Sequence, residues 1–325
     1  MKNALSIKNP GNIRSFKSIP TEATVIIAFV GMFIIFSFIA PNFLTLKNIV
    51  NIFLYSTVIG VCATGMTLVI ISGGLDISVG SIVALSGMVA GLTIAGTGSV
   101  PLGIMLALLT GLACGALNGV LITRFKIVPI IATLATMSIF RGAAMLTTSG
   151  QSQLVSAPAF KWLGRGYFLN TIPYCVIIMA VMFVLIGYIL KYTPFGRKAY
   201  SIGGNPEASR LAGINVKFVR FIIYMICGVL TGLSGIITAS QTGTAIPAAG
   251  TGLEMDAIGA VVLGGTSMNG GKGSIIGTLF GVLIFAILQN GLTLMNVMSF
   301  WQTIAKGVVL VIAVMLDVAR GGGYE

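Results

Sequence analysis

The sequence predicts an all-α membrane protein with about ten transmembrane helices. Three observations predict that class. The 325 residues are 56% hydrophobic and only 8% charged, whereas a soluble domain carries roughly 25% charged residues. Uncharged runs recur at 23–46, 48–75, 77–123, 166–190, 221–253 and 273–305, and one bilayer crossing needs about 20 mostly apolar residues. Glycine is abundant, with 43 residues, as close helix packing in lipid requires.

Taken in order, residues 1–22 form an N-terminal segment with basic Lys2, Lys8, Arg14 and Lys17, and 23–325 form a single transmembrane domain. The apolar run Val25–Ile39 has no small-residue cleavage site after it, so it reads as an uncleaved first span and not as a signal peptide. The expected spans are 24–40, 48–71, 80–96, 102–123, 128–148, 172–190, 218–239, 255–264, 274–295 and 300–318. Gly96-Thr-Gly-Ser-Val-Pro101 splits the third uncharged run, and Asn296-Val-Met-Ser299 turns the chain near its end. The stretch 255–264 is too short to cross alone. It is a broken or tilted helix, or it begins further upstream.

Orientation follows from where lysine and arginine fall. With the N-terminus inside, Lys2, Lys8, Arg14, Lys17, Arg124, Lys126, Lys191, Arg197, Lys198, Arg210, Lys217, Arg220, Lys272 and Arg320 lie inside. Only Lys47, Lys161 and Arg165 lie outside. Both termini are therefore expected in the cytoplasm. This one-sided collection also accounts for the net charge of +12 without nucleic acid as a partner.

The longest polar interval, Ser201–Val216, reads as one short punctuated helix at about 205–213. Asn205 caps its start. Pro206 suits the first helical position. Glu207 places negative charge at the positive end of the dipole. Gly213 supplies the left-handed residue that ends it. Two turns of helix are marginal alone in water, so the element is expected to dock on another protein.

Several chemistries are excluded. There is no histidine, the commonest metal ligand and general base. Cys62, Cys114, Cys175 and Cys227 each stand alone in apolar sequence, with no CxxC spacing. They read as small core hydrophobes. Gly264–Gly273 contains Gly-Gly-Lys-Gly but fails as a phosphate loop, because Gly273 follows Lys272 where Ser or Thr is needed and position 266 is Thr. No nucleophile–base constellation or metal set is present.

The candidate pathway residues are polar groups in or between spans. Asp76 and Ser78 lie in Ser72-Gly-Gly-Leu-Asp-Ile-Ser-Val-Gly80. Asp76 either caps the helix starting near Ser78 at the cytoplasmic surface or lines a solute path as a broken-helix site. Glu254 and Asp256 are two apart and do not share a helical face. They mark a solvated external helix start or a polar lip at the outer mouth. Arg141 and Lys306 interrupt apolar segments. Each snorkels to an interface or, if buried, takes a carboxylate partner such as Asp256. Asn118, Gln289 and Asn290 suit interhelical hydrogen bonds or sugar hydroxyls. Trp162 and Trp301 fall at expected outer interfaces. The units 48–148 and 218–318 each carry several spans and one Gly-rich break, and they start on opposite sides. That is the plan of an inverted repeat.

Three separated stretches, Gly65–Ser81, Gly203–Val216 and Asp256–Gly273, resemble the ribose-type ABC transporter permeases, the membrane subunits of bacterial monosaccharide importers. The likeness runs from about Pro41 to Asp317. It implies a type II-like importer permease in the bacterial inner membrane that moves ribose or a related sugar by alternating access. It implies a second copy of the chain, a periplasmic or lipid-anchored sugar-binding protein and a cytoplasmic ABC ATPase as partners, in surrounding lipid. Glu207, Ala208 and Gly213 match the Glu-Ala…Gly coupling motif of such permeases, flanked by Asn205, Pro206 and Arg210. No cofactor is expected on this chain, since ATP and magnesium belong to the partner ATPase. The competing expectation is an ion-coupled secondary transporter with Asp76, Glu254 or Asp256 as its ion site.

Overall fold

A computed structural model describes residues 21–321. The basic residues of the N-terminal segment lie outside the described residues. Thirteen helices follow one another among the described residues. The first five are α1 (Thr21–Ile39), α2 (Leu46–Ile71), α3 (Val79–Thr97), α4 (Val100–Thr123) and α5 (Pro129–Leu146). Next come α6 (Pro158–Arg165), α7 (Tyr174–Tyr192), α8 (Pro194–Gly204), α9 (Pro206–Leu211) and α10 (Val216–Thr242). The last are α11 (Leu253–Leu263), α12 (Ile275–Leu294) and α13 (Ser299–Gly321). Two short antiparallel pairings, Gln153–Leu154 with Thr244–Ala245 and Tyr167–Phe168 with Ile172–Pro173, tie loops at one end. Eight helices are long and apolar enough to cross a bilayer, and α13 adds a shorter apolar stretch, Ser299–Met315.

The expected spans match these helices closely. Punctuation explains the boundaries. Thr45, Ser99, Asn215 and Ser274 accept backbone N–H bonds at the starts of α2, α4, α10 and α12. Gly98 and Gly243 end α3 and α10 in the left-handed conformation. Two helices beyond the expected spans also appear. The amphipathic α6 lies between α5 and α7, and α8 runs directly into α9. Neither is long enough to register as an apolar run.

The long helices α2 and α10 form the axis and pack antiparallel. Ser234 on α10 donates to the Val58 carbonyl on α2, and Gly65 lies against Cys227. The helices around them exchange partners between the halves. α10 packs on α3 and α4, while α2 packs on α11 and α12. Within each half α3 contacts α4 and α5, and α11 contacts α12 and α13. The second unit therefore repeats the first with the opposite direction, as an inverted repeat requires. Gly111 and Gly115 of α4 meet Gly228 of α10 so closely that a side chain on any of them would strike backbone. Small residues let two backbones approach in this way.

One end of the bundle is basic. Gly119 of α4 lies beside Phe221, and Gly271 lies beside Gly204. Arg124, Arg197, Lys217, Arg220 and Lys272 accordingly gather there. Lys161 and Arg165 sit at the opposite end, against Gly243.

The Gly-rich break 72–80 and the segment 243–252 each lead into a helix that starts deep inside. Val83 of α3 is level with Gly235 of α10, and Gly91 is level with Ala245. Gly80 contacts Gly250. From Gly91 to Gly80 is about 16 Å of helix rise. After α10 ends, the chain therefore descends by that amount between Ala245 and Gly250, which five extended residues span. Gly80 stands level with about Gly232, near the centre of α10, a helix of 27 residues. A helix of that length rises ~40 Å, against a hydrocarbon layer of ~30 Å. The starts of α3 and α11 thus meet near the bilayer midplane. This corrects two expectations. Asp76 is not at the cytoplasmic surface, and α11 does not start outside the membrane.

Replacing Gly228 with leucine should drive a side chain into the Gly111 carbonyl. Overpacking costs about 1–3 kcal/mol or more, so the melting temperature of the purified protein should fall. Gly142→Ala, where nothing lies within 4 Å, should leave it unchanged or slightly raised. Equal melting of the two variants would contradict the packing described.

Candidate functional site

The polar residues of the sequence fall into three places. The first is the α8–α9 corner at the basic end. Thr193 caps α8 through Gly196 N–H. Asn205 accepts from Ala208 N–H at 2.9 Å, as its position before Pro206 dictates. Gly213 has φ +81° and closes the helix, where any other side chain would be strained. Ser209 is buried and shares a hydrogen bond of 2.8 Å with Ser201 of α8. It is the inward side of α9. Pro206, Glu207, Ala208 and Arg210 all face outward. Glu207 and Arg210 pair at 2.8 Å, with side chains 73% and 71% exposed. Such a surface pair contributes little stability. Leu211 is also exposed. The corner is a rigid projection that leaves polar and apolar side chains free.

The second place is the root of that projection. A side chain on Gly203, near the end of α8, would strike the carbonyl of Ile71 at the end of α2. The Gly271 N–H donates to the same carbonyl at 2.9 Å. Gly270 packs on the backbone of Gly73. Arg220 of α10 donates to the Ser72 carbonyl at 3.1 Å, and Tyr200 of α8 donates to the Gly273 carbonyl at 2.9 Å. The α8–α9 corner therefore touches the end of α2 and the 264–273 loop at once, through backbone.

The third place is the interior of the bundle, around the starts of α3 and α11. Asp76 is fully buried and accepts three sets of donors. These are the Ser78 N–H at 2.9 Å, the Ser78 hydroxyl at 2.6 Å and the Asn118 amide at 3.4 Å. Asn118 also donates to the Ser78 oxygen at 2.8 Å. Thr136 of α5 donates to the side-chain oxygen Oδ1 of Asn118 at 2.7 Å. The network fastens the start of α3 to α4 and α5. Tyr224 of α10 donates to the Leu75 carbonyl at 3.1 Å and holds the break from the other side. Asp76 does serve the start of α3, but in the interior of the bundle.

Glu254 lies across from this network. Its carboxylate occupies the space beside Gly80 where a side chain would otherwise stand. Arg141 does not snorkel and does not pair with Asp256. It donates to the carbonyls of Pro247 and Ala249 at 3.0 and 2.6 Å, clamping the descending segment. Asp256 pairs instead with Lys306 at 2.7 Å, with side chains 14% and 21% exposed. Asn290 exchanges two amide hydrogen bonds with Asn48, at 2.8 and 3.0 Å. That pair joins α12 to α2 at the far end, away from Asp76. The Gln289 side chain is partly buried, and only its backbone carbonyl takes a side-chain bond, from Thr293.

Comparison with known proteins decides the family. Residues 48–314 match the family described as branched-chain amino acid transport system / permease component. The chain belongs to this permease family. Its relatives include the ribose import permease protein RbsC of Bacillus subtilis, 48% identical over 89% of this chain and 91% of the relative. RbsC of Escherichia coli strain K12 is 43% identical over 91% and 93% of the two chains. The L-arabinose ABC transporter permease protein AraH of Azospirillum brasilense is 40% identical over 91% of this chain and 87% of the relative. No solved structure matches the chain. Nothing among these relatives supports an ion-coupled transporter.

The permease is a multi-pass protein of the bacterial inner membrane. Sequence reasoning missed Thr136, Tyr224 and Gly250, which complete its interior polar site. Tyr224 follows Arg220 by four residues, so both lie on one face of α10. That spacing was a readable signal. Nothing in the sequence marks Thr136 or Gly250.

Asp76→Asn should place an amide against the Asn118 amide. Leaving a buried donor unsatisfied costs about 1–3 kcal/mol, so thermal unfolding in detergent should begin at lower temperature. Asp76→Asn melting like the parent would remove the network from the stability argument. Lys306→Met should destabilise by on the order of 2 kcal/mol, discounted for partial exposure, because Asp256 loses its partner. Adding Asp256→Leu should recover most of the loss; a double variant less stable than the single would show that the pair is a net stabiliser.

Proposed function

We propose that the permease is the membrane-spanning subunit of an ATP-driven importer that carries a neutral monosaccharide, ribose first among the choices. Its kinship with ribose and arabinose permeases supports the substrate class. One observation carries the mechanism. The projecting α9 is joined through Gly203 and Gly271 to the end of α2 and to the loop after α11. α2 runs directly into the 72–80 break that precedes α3, the 264–273 loop follows directly on α11, and α3 and α11 both start near the midplane.

In this reading two copies of the chain enclose the path. A sugar-binding protein delivers the solute from outside, and a cytoplasmic ATPase grips Pro206, Glu207, Ala208 and Arg210. ATP and magnesium sit on that ATPase. Closure of the ATPase pair pushes α9, and α8 transmits the displacement as a lever. Backbone-to-backbone contact gives little slack, because no side chain can rotate away. Ile71 and Gly271 move together. The paired starts of α3 and α11 then shift relative to each other, and the cavity opens alternately to the two sides.

Glu207→Arg should abolish sugar-stimulated ATP hydrolysis by the assembled complex, while membrane insertion stays normal. Asn205→Ala removes a cap worth about 1 kcal/mol and should weaken stimulation without abolishing it. Normal uptake by the Glu207→Arg variant would overturn the coupling role.

A further inference from the structure

The descending segment 246–252 has hydrogen-bonding capacity that the fold does not use. Thr251 donates to the Ala248 carbonyl, and Arg141 takes the carbonyls of Pro247 and Ala249. Most carbonyls of the segment are thus satisfied. The donors are not. Among the described residues, no acceptor takes the N–H groups of Ala248, Gly250, Thr251 or Gly252. The Glu254 carboxylate likewise has no hydrogen-bond or ion-pair partner among the described residues. Ala248 and Thr251 are exposed, and Glu254, Arg141 and Gly250 are partly so. Arg141 lies within electrostatic reach of Glu254.

All of these groups stand near the bilayer midplane. Hydrocarbon offers no partner for a free N–H or a carboxylate, so irregular backbone at this depth is buried in protein or borders water. Ionisable groups inside spans face a cavity for the same reason. The exposed side of 246–252 is therefore a wet surface. The cluster pairs several donors with one strong acceptor, and Arg141 and Glu254 cancel in charge. That combination fits a neutral polyol. Ring hydroxyl oxygens accept from the free N–H groups and from Arg141, and a hydroxyl proton goes to Glu254. A charged solute would meet one of the two side chains as a like charge.

We infer that Glu254, Arg141 and the 248–252 backbone form a polyol-binding subsite at the midplane of a water-filled path along the face of α5, the descending segment and α11. The inference rests on the importer reading for the solute and for the second copy that closes the path against lipid. The wet surface itself rests only on this chain.

The test uses the full chain assembled with its ATPase and binding protein in vesicles. The four native cysteines are buried, so single cysteines introduced at Thr251 and Ala248 report cleanly. Val184→Cys, on the outward apolar face of α7 and 73% exposed, serves as the lipid-facing control. A membrane-impermeant methanethiosulfonate reagent is applied to both sides. Thr251→Cys and Ala248→Cys should react at least about tenfold faster than Val184→Cys, since the thiolate is the reactive form and lipid suppresses it. Excess ribose should slow that reaction. Glu254→Gln should lower ribose uptake at limiting sugar about tenfold, the loss expected when a charged hydrogen-bond acceptor is removed, with Glu254→Asp retaining part of it. Thr251→Cys reacting no faster than Val184→Cys would overturn the wet path. Parental uptake by Glu254→Gln would overturn the subsite. If the parent complex takes up no monosaccharide while Thr251→Cys still reacts, the importer reading fails and the wet surface stands.

Discussion

Hydrocarbon cannot accept or donate a hydrogen bond, and this constraint organises the permease. A chain that breaks its helices inside a bilayer must find partners for every polar group it frees. The two breaks solve this by meeting each other. The start of α3 rests against the descending segment before α11, with Gly80 on Gly250. Side chains from neighbouring helices cover what remains. Asn118, Thr136 and Tyr224 serve the first break, and Arg141 serves the second. The two solutions differ. The first is largely buried and is held by side chains from α4, α5 and α10. The second keeps donors free.

Glycine makes the geometry possible. Where α4 crosses α10, and where α8 meets the end of α2 and the 264–273 loop, backbone lies on backbone. Such contacts transmit a push directly, since packed interiors yield little. They also bind distant parts of the sequence into one mechanical unit. Ile71, Gly203 and Gly271 come from three separate stretches and share one junction at the basic end. The exposed α9 and the deep midplane are thereby linked by short, stiff connections.

Charge is handled by place. An exposed pair such as Glu207 and Arg210 contributes little to folding and leaves both groups available to a partner. Asp256 and Lys306 are largely shielded, and each neutralises the other at 2.7 Å. Asp76 has no cation beside it and relies on neutral donors instead. A lone carboxylate in the bilayer costs roughly 2.5–3.5 kcal/mol or more, so these donors are the condition for its burial.

The sequence by itself determined the class, the helices and their punctuation. Composition forced a membrane protein, apolar length set the spans, and Asn205, Pro206 and Gly213 fixed α9, because each acts through its immediate neighbours. The repeat was legible in outline, although the counterpart of the 72–80 break is 243–252, between α10 and α11, and not the Gly-rich 264–273. The depth at which α3 and α11 start was not legible. A carboxylate near a helix start looks the same at a surface as in the interior, so Asp76 and Glu254 each kept a solvated and a pathway reading. Arg141 looked like a partner for Asp256, yet it clamps carbonyls about 106 residues away in the chain. Asn290 suited an interhelical hydrogen bond or a sugar hydroxyl, and it holds Asn48. These outcomes depend on which helices become neighbours, and tertiary packing alone decides that. Local signals report the next few residues; a buried polar group takes its meaning from whatever stands opposite it.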